Sequence, residues 1–157
     1  MPIQELKSRL RSDIISSVEG KVYAVAEKSL REAIMTTMYA SGGGTSYVRT
    51  GDFMNAIAIE NKKNTGSTAE FTVLIKGSML TPNFTGDSGW NQHMDMSGSS
   101  WNGDGIVEVM DEGTKSRSLY MHSGYRFYDK AEKDMDNKLI KTLASAMSGH
   151  GWDVRII

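Results

Sequence analysis

At 157 residues with 18 basic against 19 acidic side chains, the chain reads as one near-neutral domain with no overall field for nucleic acid. The absence of cysteine excludes disulfides, thiol catalysis and thiolate metal sites, and fits synthesis in a reducing cytoplasm. MPIQELKSRL has no apolar leader core and no run reaches the length of a membrane span, so a chain neither exported nor membrane-embedded is expected.

Residues 3–40 read as helix, with Leu6, Leu10, Ile14, Val18, Val22, Ala26, Leu30, Ile34 and Met38 spaced four apart. Four residues advance an α-helix about 40° past a full turn, so this stripe winds around it. Either the helix bends near Gly20 within the core, or residues 3–18 belong to a neighbouring subunit. Gly42 to Gly44 end it.

Residues 47–76 change period partway along. Thr50 is read as an N-cap, Asp52 sits near the positive end of the helix dipole, and Phe53 and Ile57 lie a helical turn apart. Two-residue alternation then runs through Ile57, Ile59 and Asn61, turns at Asn64-Thr65-Gly66, and resumes at Ala69, Phe71, Val73 and Ile75. A helical turn feeding a β-hairpin is expected.

Residues 77–105 lack periodicity but hold Trp90, Met94, Met96 and Trp101, which are costly to leave in water and anchor interfaces well. A long interaction loop that orders on assembly is expected, its Asp87, Asp95 and Asp104 unbalanced by any Lys or Arg. Histidines at 93, 122 and 150 have no ligand spacing, and Asn102-Gly103-Asp104-Gly105 lacks a calcium loop's alternating ligands, so no metal or other cofactor is expected.

A strand over 106–114 closes at Gly113. A helix over 125–148 carries the stripe Tyr128, Ala131, Met135, Leu139, Leu143 and Met147, stopped by Gly149. The alternation of Trp152, Val154 and Ile156 suggests a last strand over 152–157. The expected fold is α+β, an antiparallel sheet of about four strands covered by both helices. Phe71, Val73, Ile75, Val107 and Val154 should pack on Leu139 and Leu143. No nucleophile–base or paired-carboxylate spacing nominates a catalytic residue, so no enzymatic activity is expected.

Tyr47-Val48-Arg49-Thr50-Gly51-Asp52-Phe53 with Ala56-Ile57, and Val107 to Thr114 ending in Glu112-Gly113-Thr114, resemble the tail-completion (head–tail connector, or neck) proteins of long-tailed bacteriophages. The parts keep that family's order between two helices, although Lys115 to Met121 replace its proline-rich stretch. The resemblance implies a virion protein made in the host cytoplasm. It would form a six-fold ring between the portal-bound adaptor or stopper and the tail tube, with DNA passing through unbound. Arg49, Trp90, Met94, Met96 and Trp101 would serve contacts, and Thr50, Gly51 and Gly113 the local turns. The alternatives are a tail terminator, a minor capsid protein, or a non-phage binding module presenting the 77–105 loop.

Overall fold

A computed structural model describes residues 2–40, 51–80, 103–113 and 123–156. The amino-terminal helix runs as α1 (Ile3–Ser17), a π-helical turn (Val18–Val22), α2 (Tyr23–Ile34) and a second π-helical turn (Met35–Tyr39). The two wide turns answer the fourfold stripe. In an unbroken α-helix, five steps from Val18 to Met38 would rotate it by about 200° and carry it to the opposite face. Each i→i+5 turn winds part of that drift back. Val18, Val22, Ala26, Leu30, Ile34 and Met38 are all buried as a result. Gly20 lies in the first of these turns.

Gly51, with φ 81°, precedes the short helix α3 (Asp52–Asn55), and its carbonyl accepts the Met54 and Asn55 N–H groups. The N-cap is therefore Gly51, which has no side chain to cap with, and not Thr50, which lies outside the described residues. Strands β1 (Ile57–Asn64) and β2 (Ala69–Ile75) pair antiparallel, Ile57 opposite Ile75 and Ile59 opposite Val73, with an irregularity between Glu60 and Lys63. The expected turn is present: Gly66 N–H donates to Asn64 Oδ1 at 3.1 Å and Thr65 N–H to the Thr68 carbonyl at 3.0 Å.

The four-strand sheet is not. Among the described residues the sheet has two strands and the structure is mostly helical, leaving the α+β class only in a loose sense. Residues 106–112 belong to helix α4 (Gly103–Glu112), with Val107 and Asp111 buried one turn apart and Glu108 and Glu112 exposed. A β-branched run reads as strand in isolation, but burial one helical turn apart decides for helix. The expected carboxy-terminal strand is also missing. Trp152 Nε1–H donates to Asp13 Oδ2 at 2.9 Å, holding the segment on α1, and Val154 is 38% exposed. Val154 thus leaves the predicted core, and Val107 joins it from a helix.

The single helix expected over 125–148 is two, α5 (Phe127–Met135) and α6 (Lys138–Gly149). Asp136 is extended and Asn137 left-handed at φ 60°, as suits short polar side chains that compete for backbone hydrogen bonds. The helix runs through Gly149, and Gly151 takes the left-handed φ of 88°. A larger core joins Leu30, Ile34, Met38, Phe53, Ile75, Val107 and Phe127; a smaller one gathers Val18, Val22 and Tyr23 with Phe71, Leu139 and Leu143 packed against them.

Candidate assembly surface

Three elements meet where α4 ends. Asp111, 7% exposed, turns its carboxylate to α5 and accepts the Tyr128 N–H at 3.1 Å, while its carbonyl accepts the Arg126 N–H at 3.0 Å. Arg126, the N-cap residue of α5, makes no side-chain cap, so an acid from another helix fills that role. Tyr128 in turn accepts the Ile75 N–H on its hydroxyl at 2.9 Å, tying α5 to the end of β2. Burial raises both side chains' pKa values, opposed at Asp111 by the Tyr128 and Phe127 N–H groups. A cavity of about 240 Å³ opens beside this junction, lined by Asp104, Glu108, Asp111 and Glu112 with Ile75, Val107 and Tyr128. Among the described residues no group of histidines and carboxylates is arranged to hold a metal ion.

The raised pKa of Asp111 means that the folded state holds its proton more tightly than the unfolded chain does. The stability it contributes is full below the unfolded carboxylate range and is lost as pH rises through the elevated folded value. Asp111→Asn keeps the Oδ1 acceptor and removes the buried charge. The variant is expected to match or exceed the native melting temperature at neutral pH, with the gap narrowing on acidification to about pH 4. A native protein that gains on the variant as pH rises would show that the ionised carboxylate's bonds to the α5 backbone outweigh its burial.

Two further surfaces stand out for what they leave uncovered. Residues 2–12, the beginning of α1 included, are exposed without interruption, with Ile3 71%, Leu6 44% and Leu10 36% accessible. Spacings of three and four put these on one face. So short a helical stretch is marginal in water by itself and draws its stability from packing an amphipathic face. Its base is anchored: Arg9 donates to the His150 carbonyl at 3.1 Å and lies over the Trp152 ring, and Gly66 of the hairpin turn sits against Arg11, leaving a Cβ there only 2.8 Å from the Arg11 Cβ.

The second surface is an open groove of about 930 Å³ between β2 and the α5–α6 elbow. Phe71, Val73, Met135, Leu139 and Ile140 form its apolar part, with Ile140 47% exposed. Glu70, Glu132 and Asp136 stand around it against Lys133 alone. Glu70 faces Lys63 at 4.0 Å, whereas neither Glu132 nor Asp136 has a cation partner among the described residues.

Of the residues nominated from sequence, Arg49, Thr50, Trp90, Met94, Met96 and Trp101 lie outside the described residues, as does most of the 77–105 loop. The described ends of that segment are a 3-10 turn (Gly77–Met79) and the start of α4. Gly51 opens α3, and Gly113 closes α4 at φ 90° with its N–H on the Val109 carbonyl at 2.8 Å. Neither the groove nor the capping role of Asp111 has a local sequence signal; both arise from contacts between elements distant in sequence. No family model, curated protein or solved structure matches the chain. No helix of the described residues is long and apolar enough to cross a membrane.

Proposed function

We propose that this protein is a structural subunit of the head–tail junction of a long-tailed bacteriophage, a tail-completion or connector component that assembles into a ring around the DNA passage. The observation that carries this reading is the exposed start of α1, anchored at its base by Arg9 and Arg11 and bearing an uncovered apolar stripe. A surface of that kind serves association between chains. The order of the Gly51 and Gly113 motifs in the sequence supports the phage assignment through the family resemblance, although the second motif, likened to that family's strand, is the end of helix α4 here. The four-strand sheet expected from the strand patterning contributes nothing to it, since the sheet has two strands among the described residues.

Native mass spectrometry and negative-stain microscopy of the purified protein test the reading, together with mass spectrometry of tailed particles from its source. Closed rings with a channel wide enough for duplex DNA, and the protein among the particle components, are expected. A protein that stays monomeric at every concentration and is missing from the particles overturns the assignment.

A further inference from the structure

We infer that the apolar face of one copy's α1, formed by Ile3, Leu6 and Leu10, seats in the groove between β2 and the α5–α6 elbow of the next copy. This deepens the ring reading and rests on it. The two surfaces match in chemistry. Arg9 pairs with Asp13 at 3.7 Å, which leaves Lys7 and Arg11 against Glu5 within residues 3–12. Glu70 faces Lys63 and the groove keeps Glu132 and Asp136 against Lys133, so the unpaired charge among the described residues is cationic on the helix and anionic at the groove. Each surface presents aliphatic side chains in the middle and charge at the margin, the arrangement of a helix-in-groove contact.

The occupant comes from another copy because α1 is pinned in its own. Arg9 is held by Asp13, the His150 carbonyl and Trp152, and the base of the Arg11 side chain lies against Gly66. The helix therefore cannot fold back across the hairpin into its own groove. Lys7 and Arg11 have no side-chain ion pair among the described residues, and Glu132 and Asp136 likewise await a cation. A helix on one side meeting a groove on the other is a heterologous contact, the type that propagates head to tail and closes into a ring when the rotation permits.

The chain has no cysteine, so engineered pairs report the contact against a silent background. Leu6→Cys and Ile140→Cys chains, each alone and mixed, are oxidised with copper phenanthroline; both sites are exposed, 44% and 47%, and melting temperatures verify the fold. Cross-linked dimer is expected only in the mixture, and a chain carrying both substitutions should form a ladder of oligomers. Glu132→Lys with Asp136→Lys should lower the mixed yield at least tenfold, and adding Lys7→Glu with Arg11→Glu should restore it. Leu6→Cys cross-linking to itself would mean symmetric helix pairing and overturns the inference. So does a mixture that stays monomeric while the unmodified protein forms rings, which leaves the ring reading intact. A protein giving neither rings nor cross-links, its α1 reserved for a different partner, overturns both.

Discussion

Phe127→Ala is expected to lower the unfolding free energy by about 3–5 kcal/mol, the cost of emptying a buried aromatic site. Phe127 is fully buried at the first residue of α5, its ring 6.3 Å from Phe53 in an edge-to-face contact and 4.9 Å from Tyr128. It belongs to the core cluster that draws on α2, α3, β2, α4 and α5 together. The void left by alanine would open inside a cluster shared by these elements, next to the Phe53 and Tyr128 rings. Against a typical total of about 5–15 kcal/mol, such a loss takes a large share of the stability. Denaturant unfolding should show a lower midpoint with an unchanged slope, and the melting temperature should fall on the order of ten degrees. A loss below about 1 kcal/mol would mean that α5 is not docked through this ring.

Gly124→Ala should do comparable damage by a different route. Gly124 adopts φ 79°, and a Cβ there would lie 2.4 Å from the Asp111 carbonyl oxygen and 2.4 Å from the Glu112 carbonyl carbon. The left-handed conformation alone costs an L-residue about 1–2 kcal/mol, and the obstructing atoms are backbone, which cannot swing aside. Relief would require separating α4 from the segment leading into α5. That movement would break the Tyr125 N–H bond to the Met110 carbonyl at 2.9 Å and the Arg126 bond to Asp111 at 3.0 Å. A loss of roughly 3 kcal/mol or more is expected from strain and broken bonds combined. Because the Asp111 cap on α5 depends on the same approach, amide exchange in α5 should accelerate more than in α6. Equal acceleration throughout the protein, or a stability change under about half a kcal/mol, would contradict this account.

Local pattern was enough for several elements. The alternation on either side of Asn64-Thr65-Gly66 defined the hairpin, because side chains two apart share a sheet face and the Asn64 side chain closes the turn locally. The apolar stripe defined the long amino-terminal helix and its alternative destinies, core and neighbour; the beginning of the helix is exposed, Ile14 is half-buried, and the stripe from Val18 to Met38 is buried. What the stripe could not reveal was how one face stays inward despite the drift, since the π-helical turns are stabilised by burying Val18 and Met38 against side chains far along the chain.

Tertiary structure alone decided the rest. Ile106 to Met110 has the composition of a strand, and its helical state depends on Val107 reaching the core and Asp111 reaching the α5 backbone in register. Trp152 to Ile156 alternates like a strand, yet a ladder needs a free neighbouring edge, and Trp152 is bound to Asp13 on α1 instead. The groove beside β2 follows from the same outcome: with two strands among the described residues in place of four, Phe71 and Val73 face an elbow of helices, and that elbow exists because Asp136 and Asn137 leave the helical conformation. Periodicity reports which residues of one segment share a face. Which segments meet, and what stays uncovered when they do, depends on contacts between residues more than a hundred positions apart, such as Asp13 with Trp152.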